Sequence, residues 1–388
     1  MYLTKEEERI YDGEEGVAKQ KAMELLVALG KIYGADKLIP VGSAQIAGVS
    51  YKTIGDAGID FIRFFSDNGA KVSVNSYLNP AGMDLSNWAD AGVKNSFAKK
   101  QNEIIEIFRK MGINITCTCT PYLIGIRPKL GEHIAWSESS AVSFVNSILG
   151  ARTNREGGPS SLAAAIIGKT ANYGYHLDEN RVANFLVRVR AKLKTISDYG
   201  ALGVYVGRLV QNSVPAFELV QQATEDQLKA LGAAMAASGA VALFFVKGQT
   251  PEWFLDSPEI IEVKEEDIEK LKKELTDEKD VDHVVIGCPH CSLDEIKNIA
   301  EKVHGKKLKK ELWIYTSRQV KEEADKQGYI EIIKDAGGKV ISDTCPVVSP
   351  IEDMGFKSTA TNSGKAALYL KKLCKQKIHF GDVEEITE

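Results

Sequence analysis

The chain has 388 residues, 44% of them apolar and 26% charged, with 49 basic against 53 acidic side chains. That length exceeds one typical core and predicts two or three domains, and the composition excludes wholesale disorder. A formal net charge of −4 supplies no broad basic field, which argues against nucleic acid as a partner and leaves room only for a local anion site.

The N-terminus carries Lys5-Glu6-Glu7-Glu8 where a signal peptide needs an apolar core, so the expected compartment is the reducing cytosol. Thr4 with Glu7 forms a capping-box pattern, and a second helix is expected over 15–33. Strand, loop and helix then alternate. Strands are expected at 38–41, 71–75 and 113–116, and helices at 59–66 and 97–111. Longer helices are expected at 137–149 and 179–195. The uncharged stretch 230–246 reads as a buried helix entering a buried strand, since a membrane span needs about 20 apolar residues.

The charged block after Val263 reads as an exposed helix or connector. From about 281 a compact unit follows, with strands at 284–286, 312–315 and 340–342 and helices at 293–303, 318–336 and 364–373. The expected organisation is therefore an α/β region over 1–262, a connector over 263–280 and a C-terminal α/β domain over 281–388. The fold class is α/β, with mostly parallel sheets flanked by helices.

Three of the six cysteines occupy equivalent places. Cys119, Cys288 and Cys345 each follow a short apolar run, at the carboxyl edge where open parallel sheets put their chemistry. Three thiolates converging there can hold an iron–sulfur cluster and leave one iron free for substrate. Cys117 reads as a buried neighbour, Cys291 as a first-turn packing residue and Cys374 as structural. Competing readings are a structural zinc site, a thiol–disulfide exchanger built on Cys288 and Cys291, and thiols that only pack.

Glu132, His133, Glu138 and Ser139 form the densest acid–base group, with helix capping as the plain alternative for Glu138. Arg152 and Arg155 lie in a helix-ending loop suited to bidentate anion contacts, or to neutralising a helix terminus. Asn362, Ser363, Gly364 and Lys365 open the last helix, where free N–H groups attract phosphate or carboxylate. That run is no Walker A loop, because Thr359 stands at the required glycine and Ala366 at the Ser/Thr. Ser43 and Asn75, read as following strands, and Tyr122, beside Cys119, complete the candidate substrate-binding set.

Longer strings carry a resemblance. Thr118-Cys119-Thr120-Pro121-Tyr122, Gly131-Glu132-His133-Ile134-Ala135-Trp136-Ser137-Glu138, Gly150-Ala151-Arg152-Thr153-Asn154-Arg155-Glu156-Gly157-Gly158, Gly287-Cys288-Pro289-His290, Asp343-Thr344-Cys345 and Thr361-Asn362-Ser363-Gly364-Lys365-Ala366 resemble the aconitase X family across essentially the whole chain. The resemblance implies an aconitase-like multidomain architecture and a [4Fe–4S] cluster held by Cys119, Cys288 and Cys345. It implies a hydro-lyase that dehydrates (R)-5-phosphomevalonate to trans-anhydromevalonate 5-phosphate in an archaeal mevalonate route to isoprenoids. The expected partners are that phosphorylated hydroxy acid and a small subunit resembling aconitase's swivelling domain, with no membrane. Other members dehydrate hydroxyprolines such as cis-3-hydroxy-L-proline, which is the nearest alternative.

Overall fold

Three parallel sheets, met one after another along the chain, organise the computed structural model, which describes all 388 residues. In the first, strand Ser43–Ile46 lies between Asn75–Leu78 and Ala135–Trp136, with Ser43 opposite Asn75 and Ala44 opposite Ala135. Helix Gly158–Ile167 packs on it and helix Val17–Ile32 packs on that helix, with Met23, Leu26 and Leu162 buried in one core.

The second sheet runs Phe245–Val246, Pro215–Glu218, Ala183–Val189, Leu255–Val263 in spatial order. Helices Ile196–Val210 and Glu225–Gly239 pack beside it in backbone contact. A Cβ on Gly239 would stand 1.9 Å from the Gly207 carbonyl oxygen, so only glycine permits that approach.

The third sheet has the order Gly338–Ser342, Glu311–Thr316, His283–Ile286, Ser358–Thr361, Lys377–Phe380, all parallel. Strands buried on both faces need near-continuous apolar runs, as Val284-Val285-Ile286 provides. The α/β class with mostly parallel sheets is thus as expected. One antiparallel ribbon, Leu38–Pro40 with Lys169–Ala171, stands apart.

Several expected elements change. The helix expected over 179–195 is instead strand Ala183–Val189, in which the alternating Phe185, Val187 and Val189 favour a period of two over a helical one. The run 113–116 pairs only through a single bridge between Tyr77 and Asn114. The helix over 318–336 breaks at Gly328, whose φ of 79° belongs to the left-handed region. The first-sheet strand begins at Ser43, inside what reads as a loop, and the next strand begins at Asn75 instead of ending there. No helix is long and apolar enough to cross a membrane.

A three-thiol candidate active site

Cys119, Cys288 and Cys345 line one cavity of about 260 Å³. Each follows the carboxyl side of its sheet: Cys288 lies just past His283–Ile286, Cys345 past Gly338–Ser342, and Cys119 past the segment bridged to Asn75–Leu78. The turn into Cys288 requires glycine at 287, where φ is 105° and a Cβ would lie 2.2 Å from the Tyr315 carbonyl oxygen. The remaining cysteines stay outside the cavity. Cys117 and Cys291 are buried in separate apolar cores, and Cys374 lies 3.3 Å from the Lys52 ammonium. Cys291 is 1% exposed and packs in the core of the third sheet, away from the cavity, so its thiol is not accessible for disulfide exchange.

Burial likewise raises the three cavity thiols, Cys288 to about 12 and Cys345 to about 11. Lys365 opposes this shift at all three, including Cys119. No three metal-ligating side chains converge closely enough to hold a single ion. Three thiols on one cavity are the donor set that the resemblance assigns to an iron–sulfur cluster, and they fall one short of the four ligands of a structural zinc site.

Lys365 and Glu138 form an ion pair in the cavity wall, with side chains 8% and 14% exposed. Burial alone would neutralise both groups. Their mutual attraction reverses this, holding the ammonium raised and the carboxylate lowered, so both are charged at neutral pH. The rest of the carboxylate is also engaged: Asn79 Nδ2 donates to Glu138 Oε2 at 2.8 Å, and Ser140 donates to Oε1 at 3.0 Å. Asn79 Oδ1 is buried without a partner. Asn79 carries no mark of its own in the sequence beyond the Asn79-Pro80 pair that ends strand Asn75–Leu78. Ser139 also lines the cavity.

Other expected site residues fall elsewhere. Glu132 and His133 precede strand Ala135–Trp136, whereas Glu138 follows it, so six residues of extended chain, about 20 Å, separate the two ends. Glu132 accepts from the Lys129 N–H, and His133 Nδ1 meets His176 Nδ1 at 2.9 Å. Ser43 and Asn75 sit at the same amino-terminal edge, where Ser43 Oγ accepts from Trp136 Nε1 at 3.1 Å. Arg152 is committed to Asp178 and, at 3.7 Å, Glu252, while Arg155 is exposed outside the cavity.

The phenol of Tyr122 is buried and its ring stacks on Phe144 at 3.6 Å, so it packs the turn carrying Cys119 without reaching the cavity. Asn362 faces a different cavity, of about 330 Å³, beside Asp226 and Asp382. Ser363 donates to the Cys288 carbonyl and caps helix Gly364–Leu373. Gly364 serves packing, since a Cβ there would lie 2.7 Å from the Gly200 carbonyl oxygen.

Fold and site together define an α/β protein of the enzyme class whose candidate site lies where the carboxyl edges of two parallel sheets face each other. Family models for the first, third and second domains of aconitase X match residues 1–179, 281–388 and 183–282, and the chain belongs to the aconitase X family. It is 55% identical to the phosphomevalonate dehydratase large subunit of Methanocaldococcus jannaschii, covering all of both chains. Cis-3-hydroxy-L-proline dehydratase of Pseudomonas aeruginosa is 32% identical over 97% of this chain and 67% of its own length. The crystal structure of Thermococcus kodakaraensis aconitase X in its holo-form superposes with a TM-score of 0.94 at 55% identity, covering 100% of this chain and 99% of that one.

Proposed function

We propose that this chain is the large subunit of a cytoplasmic hydro-lyase that removes water from (R)-5-phosphomevalonate, giving trans-anhydromevalonate 5-phosphate in an archaeal mevalonate route. The observation that carries the reading is one cavity lined by Cys119, Cys288, Cys345, Glu138 and Lys365 in a chain 55% identical to such subunits end to end. Identity to the hydroxyproline enzymes is lower, and this chain spans only two thirds of their length.

Water leaves a β-hydroxy acid only if the C3 hydroxyl is helped to depart and a C2 proton is taken up. In this reading Cys119, Cys288 and Cys345 hold a [4Fe–4S] cluster, which when bound supplies a Lewis acid for the hydroxyl and a carboxylate oxygen. The chain's own residues supply the rest. Lys365 presents a fixed positive charge where the substrate's negative charge develops, and needs no reorganisation because Glu138 already orients it. Glu138, ionised and hydrogen-bonded through both oxygens, holds Lys365 and Asn79 in place along this wall.

Val347, Val348, Tyr369 and Leu373 make one side of the cavity poorly polar and restrict water there. Lys365 is the only Lys or Arg in its lining. In this reading the phosphate is met by groups that a small subunit brings over the mouth, in keeping with the large-subunit name of the relatives.

A competition assay tests the substrate class. With the small subunit present, inorganic phosphate and phosphonate analogues are expected to inhibit turnover competitively, while cis-3-hydroxy-L-proline neither inhibits nor reacts. Turnover of the hydroxyproline with indifference to phosphate would replace this substrate by the alternative.

A further inference from the structure

His290 stands between Cys288 and Cys291 and is completely buried, yet it does not line the cavity. Its ring nitrogens reach two other cysteine-bearing loops. Nε2 lies 2.8 Å from the Thr344 carbonyl oxygen, one residue before Cys345. Nδ1 lies 2.9 Å from Thr118 Oγ1, one residue before Cys119. These contacts span 54 and 172 residues of sequence. The backbone N–H of His290 also donates to Cys119 Sγ at 3.2 Å, and its carbonyl accepts from the buried Lys229 ammonium at 3.3 Å.

The partners fix the tautomer. A carbonyl oxygen only accepts, so Nε2 carries the hydrogen and Nδ1 accepts the hydrogen bond donated by the Thr118 hydroxyl. Thr118 Oγ1 in turn accepts from the Thr120 N–H at 3.1 Å. Both ring nitrogens are saturated, leaving no capacity for proton transfer and a rigid ring wedged between loops.

We propose that His290 is a positioning residue that ties the three thiol-bearing loops into one frame, setting how Cys119, Cys288 and Cys345 present themselves to a cluster. The inference rests on the metal-binding reading of the site and adds the element that holds the thiols in register. A ring bonded at both ends cannot shift without moving Thr118 or Thr344, and with either the adjoining cysteine.

The test uses the full-length chain and the variants His290→Ala, His290→Gln and Thr118→Val. Glutamine retains a donor for Thr344 and loses Thr118; valine at 118 removes one bond and leaves the histidine. After anaerobic reconstitution with iron and sulfide, cluster loss to a chelator is expected to run about tenfold to a hundredfold faster in His290→Ala than in wild type. His290→Gln and Thr118→Val should fall between. Apo protein supplies a second reading, because alkylation of Cys119 by iodoacetamide should quicken several-fold in the variants while alkylation of Cys374 stays unchanged.

Wild-type rates in both assays for His290→Ala would overturn the proposal, as would wild-type rates for Thr118→Val and His290→Gln should the alanine variant fail to fold. A wild-type chain that takes up no iron would sink the metal reading, and the Cys119 alkylation rates would then decide on the histidine alone.

Discussion

Lys365→Met is expected to lower kcat by about a hundredfold to a thousandfold, the loss typical of removing one preorganised electrostatic donor. It is also expected to destabilise the chain by about 3–5 kcal/mol, because Glu138 is left as a buried carboxylate without its counter-charge. Glu138→Gln should reduce kcat comparably, by removing the group that orients Lys365. The double variant separates the two consequences. With both charges gone, the desolvation penalty disappears and thermal stability should recover toward wild type, while activity stays low. Recovery of activity along with stability would mean that the pair is only a structural tie. Steady-state kinetics and thermal melts on the four proteins form the complete cycle.

Serine at Cys119, Cys288 or Cys345 is expected to abolish turnover and strip most of the iron, because in the proposed site each thiolate would hold a separate iron. Serine at Cys117, Cys291 or Cys374 should leave iron stoichiometry near wild type, with effects confined to packing. Cys291→Ser carries particular weight, because Cys288 and Cys291 have the spacing of a redox pair, yet only Cys288 lines the cavity. Iron and sulfide analysis of the six variants checks the division directly. Iron retained by Cys345→Ser, or lost by Cys291→Ser, would redraw the ligand set.

The placement of the three cavity thiols was legible because each follows an apolar run, and a parallel strand leaves its last residue at the functional edge. Edge assignment failed where a strand's start was misjudged. Ser43 and Asn75 read as strand-following residues, but each begins its strand, and a slip of that size moves a side chain to the opposite end of the sheet. The same geometry separates Glu132 and His133 from Glu138 despite their closeness in sequence. Lys365 was named for its place at a helix start, whereas its partner, 227 residues away, is set only by the facing of two sheets. Strand Ala183–Val189 was hidden by flanking charges, Glu179 and Arg181 before it and Arg190 after it, that a helix reading absorbs.

The measurement that reaches the central claim is an anaerobic NMR assay of this chain, reconstituted and mixed with its candidate small subunit, acting on (R)-5-phosphomevalonate. The account predicts loss of a C2 proton, appearance of a new alkene, and a rate proportional to cluster content that vanishes in Cys288→Ser. An unchanged substrate spectrum from a fully reconstituted two-subunit sample, or turnover equally fast in Cys288→Ser, would contradict it.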